Sequence, residues 1–150
     1  MIPDKIVLCT DFSENSVKAR ICAMEYAKLF RAELIILHVV NSRLVGYPGF
    51  ASRYPDEMAT IRVNIERGAE EELELLANDC SRELERVRTC FLTGAPAEEI
   101  VRFAEQESVG LIVMGTHGWS GARRIILGST AENIVRTAKC PVLTVRSEAR

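Results

Sequence analysis

The chain has 150 residues, which is the size of one domain built around a single core. Apolar residues make up 47% of it, so a disordered chain is excluded, and the net charge of −2 argues against a nucleic-acid partner, because domains that bind nucleic acid are usually strongly basic. The best apolar run, residues 34–40, is far shorter than the roughly 20 residues that cross a bilayer. The amino terminus lacks the pattern of a signal peptide. We therefore expect one cytoplasmic domain over residues 1–150, with no membrane partner.

Short apolar runs and helical stretches alternate from the start of the chain, as is typical of α/β domains. A first strand is predicted over residues 5–10 and a second over residues 33–40. The second strand is apolar along most of its length, which favours burial on both faces of a sheet. Between them a helix is predicted over residues 14–30, where apolar residues recur at helical spacing: Val17, Ile21, Met24 and Ala23, Ala27, Phe30.

Two contrasting segments follow the second strand. Residues 41–55 contain two glycines and two prolines and predict a long surface loop. A long helix is then predicted over residues 56–83, with one apolar face formed by Met58, Ile61, Ile65, Ala69, Leu73 and Leu76.

Three further strands and two helices are predicted in the second half of the chain. The strands cover residues 85–92, 111–114 and 141–146. Pro96 suits the first position of a helix whose inward residues would be Ile100, Val101 and Ala104. The sequence Ser129-Thr130-Ala131-Glu132 matches a capping box and predicts a helix from there through Lys139. The whole pattern predicts a single doubly wound α/β domain with five parallel strands.

The five cysteines do not form a metal-binding or disulfide pattern. Their number is odd, and none belongs to a Cys-x-x-Cys pair. We interpret them as reduced thiols packed as small apolar side chains.

A glycine-rich segment follows the fourth predicted strand, with the spacing Gly115-x2-Gly118-x9-Gly128-Ser129. In open α/β sheets ligands bind beyond the carboxyl ends of strands, and a helix amino terminus favours an anion. The hydroxyls of Ser129 and Thr130 and the guanidinium groups of Arg123 and Arg124 would add donors for phosphate oxygens. The segment is neither a Walker A loop nor a GxGxxG loop, and it predicts a phosphate-bearing ligand.

This glycine spacing resembles the ATP-binding branch of the universal stress protein family. Four more segments resemble that family in the same order, so the resemblance covers nearly the whole chain. They are Thr10-Asp11-Phe12-Ser13, Leu37-His38-Val39-Val40, Gly94-Ala95-Pro96 with Glu98-Glu99-Ile100, and Lys139-Cys140-Pro141-Val142-Leu143. The resemblance implies the strand order 3-2-1-4-5 with helices on both faces of the sheet.

The resemblance also implies a site for ATP or another adenine nucleotide. Asp11 would contact the nucleoside and Val39 the adenine through its backbone. The start of the glycine-rich segment would follow the ribose and phosphates, with Gly128, Ser129 and Thr130 at the phosphate tail. The cofactor-binding residues implied are Thr10, Asp11, Val39, Met114, Gly115, His117, Gly118, Arg123, Arg124, Gly128, Ser129 and Thr130. Cys9 departs from the family pattern, in which proline or a small aliphatic residue often precedes the Thr-Asp pair.

Several of these residues have a second interpretation. Asp11 could cap the first helix, and Ser129 could cap the helix that it begins. His117 could be a solvent-exposed loop residue or a catalytic base, and the two arginines could serve only as surface charge. His38, in an apolar strand, is interpreted as a core histidine whose ring is satisfied by a hydrogen bond.

The resemblance implies a nucleotide-dependent switch or regulator of the stress response. The family resemblance implies a homodimer formed through the fifth strand, with Val142, Leu143 and Val145 at the contact. Mg²⁺ or Mn²⁺ would arrive with the phosphates, because no acidic pair stands near the glycine-rich segment. No catalytic residue is assigned. The alternatives are a slow ATPase or nucleotidyl-transfer enzyme, and a nucleotide-free dimeric interaction module.

Overall fold

The structure, a computed structural model, describes residues 2–41, 52–116 and 127–146. In these ranges five strands and four helices of nine or more residues follow one another along the chain. In order they are β1 (Lys5–Cys9), α1 (Asn15–Phe30), β2 (Glu33–Asn41), α2 (Pro55–Cys80), β3 (Val87–Gly94), α3 (Pro96–Gln106), β4 (Leu111–Gly115), α4 (Ser129–Thr137) and β5 (Val142–Val145).

The strands form one sheet in the order β3-β2-β1-β4-β5, and every neighbouring pair is parallel. The predicted α/β class and the strand order 3-2-1-4-5 are confirmed. β1 lies at the centre, where Cys9 is in register with Leu37 of β2 and with Met114 of β4. The chain therefore runs outward from β1 in one direction and returns to build the sheet on the other side.

Each face of the sheet is covered by two helices. Successive side chains of a strand point to opposite faces, so neighbouring residues of β1 pack against different helices. Ile6 and Leu8 of β1 belong to a cluster packed with buried residues of α1 and α2. Val7 and Cys9 belong to a second cluster, which contains buried residues of α3 and α4. This two-sided burial explains why the central strands are apolar without alternation.

Helix α1 packs on the sheet through alanines. Ala19, Ala23 and Ala27 are buried, whereas Val17 is 42% exposed and Ile21 is 49% exposed. Both sets recur at helical spacing, so periodicity alone does not distinguish them. The short alanine side chains form the face that lies against the close-packed sheet, and the larger residues are left at the solvent side.

Helix α2 is longer than the sheet that it covers. Its 26 residues span about 39 Å, against about 30 Å for the nine residues of β2. Ala69 and Leu73 are buried, but Ile61 is 43% exposed and Ile65 is 38% exposed. The prediction of one continuous core face is therefore wrong for the amino-terminal half of α2, which extends past the sheet.

Other predicted boundaries shift by a few residues. β3 begins two residues later than expected and ends at Gly94, which is in register with Asn41 of β2. α2 and α4 end at Cys80 and Thr137, earlier than predicted. Of the predicted loop, residues 42–51 lie outside the described residues.

No helix in the described ranges is both long enough and apolar enough to cross a membrane. All five cysteines are described and are free thiols, as predicted.

An ion-pair network joins the amino ends of the strands. The Glu107 carboxylate accepts hydrogen bonds from Lys5 Nζ at 2.9 Å and from Arg88 Nη2 at 2.6 Å. Arg88 Nε also pairs with the Glu33 carboxylate at 3.1 Å. The hydrogen bond from Lys5 and the charge of Arg88 lower the pKa of Glu107. The network ties β1, β2 and β3 to the end of α3.

Candidate functional site

A crevice of about 250 Å³ opens at the carboxyl ends of β1 and β4. This is the point where the sheet order reverses, and open α/β sheets bind their ligands at such points. Fifteen residues line the crevice: Cys9, Thr10, Asp11, Ser16, Leu37, Val39, Pro96, Ile100, Met114, Gly115, Thr116, Gly128, Ser129, Thr130 and Ala131. They come from β1, β2 and β4 and from the starts of α1, α3 and α4.

One end of the crevice is formed by a tight turn after β1. The Asp11 carboxylate oxygen Oδ1 accepts hydrogen bonds from the Ser13 amide at 3.0 Å and from the Ser13 hydroxyl at 2.6 Å. The Phe12 amide donates to Thr10 Oγ1 at 3.0 Å. Phe12 has φ of 62°, in the left-handed region that few residues other than glycine adopt. These bonds place Asp11 at the crevice.

The structure excludes the interpretation of Asp11 as the cap of α1. That helix begins at Asn15, its N-cap residue is Glu14, and no side-chain hydrogen bond caps it. The Asp11 carboxylate instead closes the turn to Ser13. An aspartate that bonds to the backbone two residues further on is a common way to stabilise such a turn.

The middle of the crevice is apolar. Its wall is formed by Ile100 of α3 and by strand side chains on the α3 and α4 face of the sheet: Cys9, Leu37, Val39 and Met114. Burial raises the pKa of the Cys9 thiol to about 12, so this residue stays protonated and behaves as an apolar side chain near neutral pH. The wall suits a flat, weakly polar group such as a nucleobase.

The other end of the crevice is the amino terminus of α4. The Gly128 amide donates to the Thr116 carbonyl at 2.8 Å, and the Gly128 carbonyl accepts from the Glu132 amide at 2.9 Å. Ser129 and Thr130 are then the first two residues of the helix. The first amides of a helix have no partner within it and carry partial positive charge, so this end of the crevice suits an anion.

The predicted capping box is wrong. Gly128 is the N-cap residue of α4, and no side-chain hydrogen bond caps the helix. Ser129 therefore lies one position too far along the chain to act as the cap, and Glu132 is in the fourth helical position rather than the third. The N-cap lies at Gly128 because the Gly128 amide is bonded to Thr116, just after β4, and the helix begins with the next residue.

The structure brings together the site residues that lie in its described ranges. They are Thr10, Asp11, Val39, Met114, Gly115, Gly128, Ser129 and Thr130, and all of them line the crevice. His117, Gly118, Arg123 and Arg124 lie outside the described residues.

Some lining residues were not predicted from the sequence. Ser16 accepts a hydrogen bond from Thr10 Oγ1 at 3.2 Å and donates to the Ser13 carbonyl at 2.7 Å, which ties the turn to α1. Pro96 and Ile100 line the crevice because α3 begins beside it. The alternation of side chains along β2 could have indicated Leu37, which lies two residues before Val39 on the same face.

His38 lies behind the turn and is not among the residues that line the crevice. Its Nδ1 is 2.8 Å from the Thr10 carbonyl oxygen, and its ring lies 4.4 Å from the Phe12 ring. Burial is the main cause that lowers its pKa. The interpretation of His38 as a histidine satisfied by a hydrogen bond is confirmed, but its placement in the core is wrong, because the residue is only half-buried.

Among the described residues, no group of three or more histidine, cysteine, aspartate or glutamate side chains is arranged to hold a metal ion. Asp11 is the one carboxylate among the described residues that line the crevice.

The family model described as "Universal stress protein family" matches residues 3–146. The chain belongs to the universal stress protein family. Universal stress protein MJ0531 of Methanocaldococcus jannaschii is 39% identical over 143 residues, which are 95% of this chain and 81% of that protein.

Solved structures of other universal stress proteins share the fold. The structure of the MJ0577 protein, from the same organism, is 28% identical, has a TM-score of 0.88 and matches over the full length of both chains. A universal stress protein in complex with cAMP is 26% identical, with a TM-score of 0.64, over 99% of this chain and 100% of that one. The resemblance proposed from the sequence motifs is therefore confirmed at the level of the family.

Proposed function

We propose that this universal stress protein binds ATP, or another adenine nucleotide, in the crevice and acts as a nucleotide-dependent regulator. The observation that carries the proposal is the convergence of eight predicted residues on one crevice at the switch point of the sheet. They come from four separate segments of the chain, so their proximity is a property of the fold. The complex of a related universal stress protein with cAMP supports the same ligand class.

The nucleotide would lie along the crevice with its adenine against the apolar wall. Asp11 would accept hydrogen bonds from the nucleoside, since its carboxylate is held in place by Ser13. The phosphates would lie at the amino terminus of α4, where the amides and hydroxyls of Ser129 and Thr130 can donate to them. This orientation puts the most negative part of the ligand at the most positive part of the site.

A divalent cation would be held mainly by the phosphates. Mg²⁺ prefers oxygen ligands and keeps several waters, so a triphosphate and one nearby carboxylate can be sufficient. Asp11 is the carboxylate that the described residues offer in the crevice. We therefore propose that Mg²⁺ or Mn²⁺ enters with ATP rather than residing in the protein.

We further propose that the regulator is a homodimer paired through β5. This strand is at the edge of the sheet, and all four of its residues are only half-buried. Val142, Leu143 and Val145 would be covered by the partner, which would also protect the open edge from aggregation. Sedimentation at micromolar concentration measures this directly, and a monomer would overturn the dimer while leaving nucleotide binding in place.

Calorimetric titration with ATP and Mg²⁺ tests the nucleotide site. Gly128 has φ of −67° and ψ of 156°, which valine adopts without strain, so Gly128→Val adds bulk at the phosphate end and leaves the backbone intact. We expect micromolar binding in the wild type, loss of binding in Gly128→Val, and retained binding in the control Gly68→Ala, which changes α2. Absence of heat with the wild-type protein would overturn the proposal and favour a nucleotide-free interaction module.

A further inference from the structure

His38 lies on the opposite face of the sheet from the crevice. Its ring packs between Phe12 and Phe91, and both belong to the cluster under α1 and α2. The crevice is lined instead by its neighbours Leu37 and Val39, which point the other way. A ligand in the crevice would therefore not contact the imidazole.

The imidazole nevertheless contacts the residues on both sides of Asp11. It is bonded to the carbonyl of Thr10 and packed on the ring of Phe12. Asp11 is the residue between them, and it lines the crevice. Any shift of Thr10 or Phe12 would move its carboxylate.

The turn needs such support because β1 ends just before it. Cys9 and Leu37 are the last pair in the β1–β2 register, and Thr10 makes one more backbone bond, from its amide to the Leu37 carbonyl at 3.0 Å. The side chain of His38 then provides a donor for the Thr10 carbonyl. Phe12 is held in a left-handed conformation that persists only where the surroundings enforce it.

The bond also defines the state of the histidine. A carbonyl oxygen accepts hydrogen bonds and cannot donate, so Nδ1 must carry the hydrogen. Since burial lowers the pKa of His38, the ring is neutral at neutral pH, and Nε2 carries no hydrogen.

We propose that His38 is a positioning residue for the nucleotide site, which holds the Thr10–Phe12 backbone from behind so that the Asp11 carboxylate is presented to the nucleoside. This inference rests on the proposed function. It assigns to His38 an effect on the nucleoside end of the ligand and none on the phosphate end, which is built from α4.

The test compares two ligands, ATP and inorganic triphosphate, by calorimetric titration. His38→Leu keeps an apolar side chain but removes the donor, and His38→Asn keeps an N–H donor near the position of Nδ1. We expect His38→Leu to weaken ATP roughly fivefold, the effect of one hydrogen bond, and to leave triphosphate within about twofold. His38→Asn should restore most of the ATP affinity. In an Asp11→Asn background, His38→Leu should have a smaller further effect, because it acts through the Asp11 side chain.

Several outcomes would overturn the inference. Equal weakening of both ligands by His38→Leu would indicate a general loss of structure, and failure of His38→Asn to restore ATP affinity would exclude the role of the donor. If the wild type binds ATP and His38→Leu binds it equally well, the inference is overturned but the proposed function is not. If the wild type binds neither ligand, the proposed function fails and the inference fails with it.

A measurement on the wild-type protein covers the case in which His38→Leu does not fold. The chain has two histidines, so nitrogen NMR of the imidazoles is simple to assign with a His117→Gln variant. We expect the Nδ1–H tautomer for His38 at neutral pH. The Nε2–H tautomer would overturn the inference, because it cannot donate to Thr10.

Discussion

The backbone amide of Gly128 donates a hydrogen bond of 2.8 Å to the carbonyl oxygen of Thr116. This bond joins the end of β4 to the start of α4 across the glycine-rich segment, so both ends of that segment meet at the crevice. Because the Gly128 amide is engaged in this bond, the amides of Ser129 and Thr130 are the first in α4 that can donate to an anion. The position of the proposed phosphate site is therefore set by the sheet rather than by α4 alone.

Asp11→Asn should lower ATP affinity roughly tenfold with little change in stability. The amide oxygen of asparagine can still accept from Ser13, so the turn is kept, but the charge that strengthens a hydrogen bond to the nucleoside is lost. Calorimetric titration and thermal unfolding measure the two effects. Asp11→Ala is the control, in which both the turn and the ligand contact are lost. ATP binding by Asp11→Asn at wild-type strength would show that Asp11 serves only the turn.

Ser129→Ala should weaken ATP several-fold without lowering the stability of the protein. The hydroxyl is expected to donate to a phosphate oxygen, which is worth about 1 kcal/mol. Since Gly128 is the N-cap residue, the substitution removes no cap from α4. Urea unfolding distinguishes the two roles, because loss of a cap would cost about 1 kcal/mol of unfolding free energy. Such a loss, with ATP affinity unchanged, would contradict this prediction.

Two glycine-to-alanine substitutions should have opposite effects on the free energy of unfolding. Gly68 is inside α2, and an added Cβ would meet no atom within 4 Å, so Gly68→Ala should stabilise the protein by about 0.5–1 kcal/mol. At Gly110 a Cβ would lie 2.6 Å from Pro3 Cβ and 2.7 Å from Pro3 Cα, so Gly110→Ala should destabilise it. Urea unfolding of both variants provides the measurement, and equal midpoints for the two variants would contradict this packing.

Glu107→Gln should lower the urea midpoint at neutral pH, and the difference should disappear in acid. The pKa of Glu107 is lowered in the folded protein by the hydrogen bond from Lys5 and the charge of Arg88. A carboxyl group with a lowered pKa stabilises the fold above its ordinary pKa of 4.5, and this stabilisation is lost as the pH falls through the folded value. Unfolding from neutral pH down to about pH 3 measures the trend. Glu98→Gln, at an exposed position of α3, is the matched control. A difference that stays constant with pH would contradict the ionic origin.

Most of the fold could be predicted from local pattern. The apolar strands and the helical spacing are local signals, so the nine elements were predicted to within a few residues. The order of the strands is not a local property, and it was expected only from the family resemblance. The errors arise where a contact distant in the chain competes with a local signal. In α4 the bond to Thr116 displaces the predicted cap. In α1 the spacing left the buried face open, and the structure buries Ala19 and Ala23 rather than Ile21.

The residues that line the site could largely be predicted from the sequence, but the contacts that hold them in place could not. Asp11 and Ser129 were expected from motifs, and the structure places both at the crevice. The contact of His38 with Thr10 depends on the register of β2 against β1, which aligns Leu37 with Cys9 and puts the next residue level with the turn. A shift of one residue would exchange the faces of the strand and put His38 into the crevice. Because consecutive residues of β2 are buried on both faces of the sheet, its apolar pattern does not indicate that register.

The alanine face of α1 makes the shape of the crevice sensitive to substitutions far from it. Ala19, Ala23 and Ala27 set the distance between α1 and the sheet, and the turn that carries Asp11 joins β1 directly to this helix. A larger side chain at any of the three would push the helix outward and pull the turn with it. We therefore expect variants that abolish the proposed nucleotide binding to include changes in the interior of the protein, at residues that do not line the crevice.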